Sequence, residues 1–125
     1  MNLNQVTLPA SDMAESTAFY RRMGFLQIVD TPHYARFESI DGDATFSLSL
    51  EDGVAGAAVI YFEHEDLDEL VAALKARGIR FDQDPQDMTY LWREAVLHDP
   101  AGNKIKLYWA GEHRRRPPWR VERRE

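Results

Sequence analysis

Two stretches of this chain follow one pattern, and that duplication limits its fold more than any other feature. LPASDMAESTAFYRRMGF (residues 8–25) lies over FEHEDLDELVAALKARGI (residues 62–79) at a constant offset of 54, with no gap. Leu8 then meets Phe62, Asp12 meets Asp66, Glu15 meets Glu69, Gly24 meets Gly78 and Phe25 meets Ile79. Self-similarity at this spacing means one supersecondary unit built twice. Each copy makes sense as a helix. Asp12 and Asp66 are N-cap residues with an acid three positions on. Ala18, Phe19 and Met23 in the first copy, and Leu67, Leu70, Val71 and Leu74 in the second, form apolar stripes at helical spacing. Gly24 and Gly78 fall where a helix ends on a left-handed residue.

Strands fill the rest. Residues 4–8 and 58–62 precede the two helices, and residues 26–29 and 79–81 restart extended chain after them. Residues 34–39 and 45–50 form a hairpin about the turn Asp41-Gly42-Asp43. Residues 91–97 and 104–109 form a second hairpin about Asp99-Pro100-Ala101-Gly102-Asn103, a run of turn formers. Residues 85–88 read as a loop. Gly111 ends the last strand, and Pro117-Pro118 excludes regular structure around it in the tail. The result is an α+β chain of two tandem β-α-β-β-β modules, residues 1–53 and 54–111, in one domain, followed by a tail of residues 112–125.

Strand parity sorts the side chains. In the last strand Ile105, Leu107 and Trp109 face a core, and Lys104, Lys106 and Tyr108 face the other way, toward water or a pocket. The same rule puts Gln5 and Thr7, Ser47 and Ser49 with Glu51, and Tyr61 and Glu63 on pocket-facing rows. Tyr34, Arg36 and Glu38 make a further polar row. Parity leaves residues 91–98 open: either Arg93, Ala95 and Leu97 face the pocket, or Trp92, Glu94, Val96 and His98 do. Aromatic rings with a few charges are how small-molecule pockets are lined. Trp92, Tyr90, Tyr61, Trp109 and Tyr34 could stack on a flat ligand, or serve a core or a subunit interface.

Charge and composition narrow the partners. The formal charge is -6, with -9 on residues 1–111 and +3 on residues 112–125. An acidic body argues against nucleic acid as a partner and attracts cations. The arginine-rich tail is expected as an extended arm, with Trp119 anchored on its own chain or a partner subunit. No apolar run approaches the roughly 20 residues of a membrane helix, and no secretory signal is visible. Cysteine is absent, which excludes disulfides and thiolate chemistry and agrees with a cytoplasmic home. No phosphate loop, nucleophile elbow or paired-histidine zinc motif is present.

A duplicated β-α-β-β-β module resembles the vicinal oxygen chelate superfamily, which includes glyoxalase I, bleomycin-resistance proteins and extradiol dioxygenases. The likeness rests on Asp12 with Phe19-Tyr20-Arg21 and Gly24-Phe25, on Asp66-Leu67 with Gly78, and on Asp99-Pro100-Ala101-Gly102-Asn103, spanning about residues 3–109. It implies sheets curled into a cup with helices outside, a homodimer, and in the enzymes a divalent metal held by the first and last strands of each module. Those ligand positions fall on Gln5, Ser47, Val59 and Lys106. Gln5 has donors, Ser47 is a poor ligand, Val59 has none, and the Lys106 ammonium has no lone pair to give. The expectation is therefore a degraded metal site, no bound cofactor, and a small molecule bound in a dimer-formed cup. Its binding residues are Gln5, Ser47, Ser49, Tyr61, Arg93, Lys106 and Tyr108. Lys106 would bind an anionic group or pair with a carboxylate on the cup wall; the plainer alternative is a solvated edge lysine. The competing expectation is an enzyme: a metal-dependent lyase or dioxygenase with a displaced ligand set such as His98 with Glu94 or Glu51, or a metal-free catalyst using Lys106. His98, Glu94 and Lys106 are its catalytic candidates.

Overall fold

The computed structural model of the protein describes residues 3–52, 56 and 58–124. Eight strands and two helices follow in the order β1 (Gln5–Ala10), α1 (Met13–Arg22), β2 (Leu26–Asp30), β3 (Tyr34–Glu38), β4 (Thr45–Leu50), β5 (Val59–Glu63), α2 (Leu67–Ala76), β6 (Gln83–Asp87), β7 (Arg93–His98) and β8 (Lys104–Trp109). The chain is α+β, with two four-stranded sheets ordered β1-β4-β3-β2 and β5-β8-β7-β6. The second order repeats the first, as the duplication requires. The boundary expected between residues 53 and 54 falls outside the described residues. By compactness, one unit comprises Met1–Val59 with His98–Lys104, and the other Ile60–Leu97 with Ile105–Glu125.

In the first unit β1 runs parallel to β4, and β3 pairs antiparallel with both β4 and β2. Helix α1 starts at Asp12, whose side chain accepts a 3.0 Å hydrogen bond from the Glu15 N–H. It ends in a Schellman motif: Phe25 N–H reaches Tyr20 O, Gly24 N–H reaches Arg21 O, and Gly24 has φ +104°. The helix lays Phe19, Tyr20 and Met23 on a core of Leu8, Ala35, Phe37, Phe46 and Leu48, all buried. Tyr20, Phe25, Phe37 and Phe46 pack ring against ring at 5.0–6.3 Å. Fully burying side chains of this kind contributes roughly 1.5–3 kcal/mol each.

The second unit ends its helix in the same way. Ile79 N–H reaches Leu74 O, Gly78 N–H reaches Lys75 O, and Gly78 has φ +86°. Its core is Leu67, Val71, Leu74, Ile79, Ala95, Leu97, Ile105 and Leu107. Asp66 occupies the N-cap position, but its side chain makes no capping bond. His64 serves instead, its Nδ1 accepting from the Asp66 N–H at 3.0 Å.

Several expectations need correction. Residues 79–81 are not a strand, because Ile79 is held in the helix-ending motif and buried. The strand is β6, through the segment read as a loop. Pro85 is tolerated there because β6 is an edge strand and its register with β7 shifts between Gln83 and Gln86. Strand β7 starts at Arg93 rather than residue 91, since Leu91 has φ +69°, outside the strand region. Trp109 is not core: it is 38 % exposed. The tail begins with a 3-10 turn, Gly111–Arg114, and Trp119 is 57 % exposed.

Candidate functional site

The polar faces of the two sheets carry the clusters of interest. In the second unit Arg93 reaches Asp68 of α2, so alternation along β7 puts Ala95 and Leu97 on the helix side and Glu94 on the opposite face. That settles the open choice on this strand in favour of the row containing Trp92 and Glu94. On neighbouring β8, Ile105 and Leu107 are buried and Lys106 projects beside Glu94. Lys106 Nζ lies 3.2 Å from Glu94 Oε2, with side-chain exposures of 18 % and 2 %. Of the two fates expected for an inward lysine, the structure gives pairing with a carboxylate. Burial alone would lower the Lys106 pKa, but the Glu94 hydrogen bond and charge outweigh it and raise it.

Aromatic rings surround the pair. Trp92 and Tyr108 stack at 4.7 Å, and Tyr61 stands edge-on to both, at 6.0 and 5.5 Å. Tyr90 meets Trp92 edge-on at 5.9 Å. Lys106 Nζ sits 5.5 Å from the Tyr61 ring centroid, within cation–π range. Burial pushes the Tyr90 and Tyr108 hydroxyls above their ordinary pKa, with help from Glu94 and Glu63 respectively. Tyr108 is buried, Trp92 and Tyr90 are half-buried, and Tyr61 is exposed. Tyr90 and Trp92 reach this face from a tight turn in which Met88 N–H donates to Trp92 O and Leu91 N–H to Met88 O.

In the first unit Ser47 is fully buried at the hub of a polar cluster. Its Oγ accepts from Gln5 Nε2 at 2.8 Å and from Arg36 Nε at 3.4 Å, and shares a 2.6 Å hydrogen bond with the Tyr34 hydroxyl. Arg36 Nη2 donates to the Tyr34 oxygen at 2.9 Å. Hydrogen bonds with Ser47 first, then Arg36, lower the Tyr34 pKa. Thr45 donates to Gln5 Oε1. Ser49 lies along β4 opposite Tyr34 and half-buried.

The remaining candidates lie elsewhere. Arg93 is on the helix side of its sheet, bidentate to Asp68 at 2.8 and 2.9 Å and bonded to Asp87 at 3.0 Å. Glu63 is structural: its Oε2 accepts from Ala110 and Gly111 N–H at 3.0 and 3.1 Å, holding the start of the tail. His98 is exposed at the end of β7. His113 is half-buried, and among the described residues its Nδ1 has no hydrogen-bond partner. It shares an open groove of about 430 Å³ with Met88, Leu91, Trp92 and Trp109. Among the described residues no three His, Asp or Glu side chains converge as metal ligands. At the positions that the resemblance assigns to metal ligands, the Gln5 amide is committed to Ser47 and Thr45, and the Lys106 ammonium to Glu94.

The sequence model of the Glyoxalase/Bleomycin resistance protein/Dioxygenase superfamily matches residues 2–107. No curated protein matches the chain in sequence. Among solved structures, the chain is similar to a bleomycin-binding protein complexed with bleomycin: TM-score 0.73, 22 % identity, covering 87 % of this chain and 98 % of that one. A lactoylglutathione lyase from Agrobacterium tumefaciens gives TM-score 0.73 at 20 % identity, covering 86 % and 92 %. A glyoxalase/bleomycin resistance protein/dioxygenase from Nocardioides gives 0.76 at 21 %, covering 98 % and 90 %. At such identities these likenesses speak for the fold alone.

Proposed function

The chain belongs to the glyoxalase/bleomycin resistance protein/dioxygenase superfamily, and from that premise we propose that it is a binding protein for a planar, neutral or cationic small molecule. The ligand stacks on the polar face of the second sheet, against Tyr61 and Trp92, beside the Lys106–Glu94 pair. One observation carries this reading: an exposed tyrosine stands edge-on to a stacked Trp–Tyr pair, next to an ion pair whose charges cancel. Aromatic faces attract flat rings and cations. An anion would have to draw Lys106 from Glu94 and leave a buried carboxylate uncompensated, which disfavours anionic ligands.

The same reading holds the protein to be a cytoplasmic homodimer that binds without metal. No helix among the described residues is long and apolar enough to cross a membrane. Gln5, Ser47, Val59 and Lys106 do not fit a divalent ion, because one position has no donor and another bears a positive charge with no lone pair. A stoichiometric divalent metal in the purified protein would overturn that part.

Calorimetric titration tests the binding claim with three probes: bleomycin, the planar cation proflavine and the planar anion anthraquinone-2-sulfonate. Saturable binding is expected for at least one of the first two and not for the third. Tyr61→Ala should weaken that binding by about two- to tenfold, the scale of a lost aromatic contact. No binding by either of the first two, or unchanged binding in Tyr61→Ala, would contradict the proposal.

A further inference from the structure

We propose that the first unit carries a carboxylate-binding site centred on Arg36, independent of the aromatic face described above. Arg36 projects from β3 on the polar side of the first sheet, since Ala35 and Phe37 on either side of it are fully buried. It lies opposite Ser47 in the strand register. Its guanidinium is held at two points, Nε on Ser47 Oγ and Nη2 on the Tyr34 oxygen, with its Cζ 5.4 Å from the Tyr34 ring centroid. The Nη1 hydrogens and one on Nη2 have no partner among the described residues.

The charge is equally unmatched. Among the described residues no carboxylate pairs with Arg36. Glu38, next along the same face, is exposed and forms no ion pair with it. The groups around the guanidinium are neutral: the Tyr34 and Ser47 hydroxyls and, on the other side of Ser47, the Gln5 amide. Arg36 is half-buried, so water compensates its charge incompletely. Lys106, the cation that parity picks out in the other sheet, has a carboxylate partner; Arg36 does not.

A guanidinium fixed by two hydrogen bonds and a ring presents its free donors in a rigid planar fork. That fork matches a carboxylate, which accepts two parallel N–H bonds. The holding contacts are already made, so little side-chain entropy is lost on binding. One uncompensated positive charge on a protein of net charge -6 suits a singly charged ligand group better than a dianion. The ligand class is therefore an organic carboxylate, and phosphate is the alternative to be excluded.

The test is titration of the full chain with benzoate and with inorganic phosphate at constant ionic strength, read by NMR at the Arg36 Nε–H and the backbone amides of β3. Benzoate should produce saturable shifts centred on Arg36, with phosphate at least about threefold weaker. Arg36→Gln should weaken benzoate binding at least about tenfold, the scale of a charge-assisted bidentate pair. Tyr34→Phe should retain the ring and weaken binding less. Tyr61→Ala, at an exposed ring of the other sheet, should leave it unchanged, which separates this site from the aromatic face. Absence of saturable shifts at Arg36, equal binding by Arg36→Gln, or preference for phosphate would each overturn the proposal. The wild-type titration stands whether or not the variants fold.

Discussion

The Tyr20 hydroxyl donates a 2.7 Å hydrogen bond to Asp99 Oδ2, joining the last turn of α1 to the turn between β7 and β8. Both residues are buried. Asp99 also accepts from the Ala101 and Asn103 N–H groups at 3.0 and 2.8 Å and from Asn103 Nδ2 at 2.8 Å. The same Asn103 amide donates to Pro9 O in β1 at 2.8 Å. The turn, itself part of the first unit, is thus wired to a helix and a strand of that same unit, and its carboxylate is satisfied on both oxygens. Burial first, then the Asp99 charge, holds the Tyr20 pKa far above its ordinary value, so the phenol stays a donor throughout the working pH range.

Tyr20→Phe keeps the ring contacts and removes only this donor. A hydrogen bond to a charged group contributes about 1.5–3 kcal/mol, and that loss is expected in urea unfolding with an unchanged m value. Asp99→Ala should cost more, because it strands the Tyr20 hydroxyl and the Asn103 N–H in the interior. Equal stability of Tyr20→Phe and wild type would show the bond to be incidental.

The Lys106–Glu94 pair predicts an asymmetry between its two single variants. Lys106→Met leaves Glu94, whose side chain is 2 % exposed, as a buried charge without its partner. Breaking such a pair from one side costs about 3–5 kcal/mol. Glu94→Gln leaves Lys106, which is more exposed and can turn toward water, so its cost should be smaller. The double variant Lys106→Met/Glu94→Gln should recover much of the single-variant loss, measured as a coupling in a double-mutant cycle. The pH dependence has a definite sign. The folded Lys106 pKa is raised above 10.5, so its contribution is complete below that value and is lost as pH climbs through the higher folded one. Alkaline unfolding profiles of wild type and Lys106→Met should converge above pH 10.5 and run parallel below it.

Which features were legible in the sequence follows from how local their causes are. The helices were readable because caps, apolar stripe and terminal glycine all lie within one stretch. The offset of 54 carries Met13–Arg22 directly onto Leu67–Ala76. Beyond the helices the second copy gains residues, so the offset gives no guide to β6, and Pro85 hides an edge strand whose bulge excuses it. Parity correctly turned Lys106 toward Glu94's face, because alternation is a local rule. It did not show that Arg93, the first residue of β7, stands on the helix side with Asp68, since parity left both faces open and the deciding contact comes from α2. That Arg36 has no acidic partner among the described residues was not legible either: its surroundings come from β1 and β4 by pairing across the sheet.

Gly78 offers a clean measure of the helix-ending motif. Its φ is +86°, and a Cβ added there would meet nothing within 4 Å, so the backbone conformation alone sets the penalty. Gly78→Ala is expected to cost about 1 kcal/mol, and Gly78→Asn less, because asparagine enters the left-handed region more readily. Chemical unfolding of the two variants side by side checks the order. If alanine proves as good as glycine, the motif does not govern how α2 stops.

Leu91 carries the opposite error in its residue choice. It is a non-glycine residue at φ +69°, 47 % exposed, at the tip of the turn that delivers Tyr90 and Trp92 to the aromatic face. An L side chain in that region costs about 1–2 kcal/mol, and exposed leucine returns little of it by burial. Leu91→Asn should therefore stabilise the protein by about 0.5–1 kcal/mol. Leu91→Ala should not, since alanine meets the same backbone penalty and has less side chain to bury. Strain of this kind persists where the surroundings over-determine it, and it clusters at binding sites. Leu91 also lines the groove beside Trp92, Trp109 and His113. If the leucine is held for that groove, Leu91→Asn gains stability while ligand-induced stabilisation by any compound bound there shrinks. A destabilised Leu91→Asn would mean that the leucine side chain makes contacts worth more than its backbone strain.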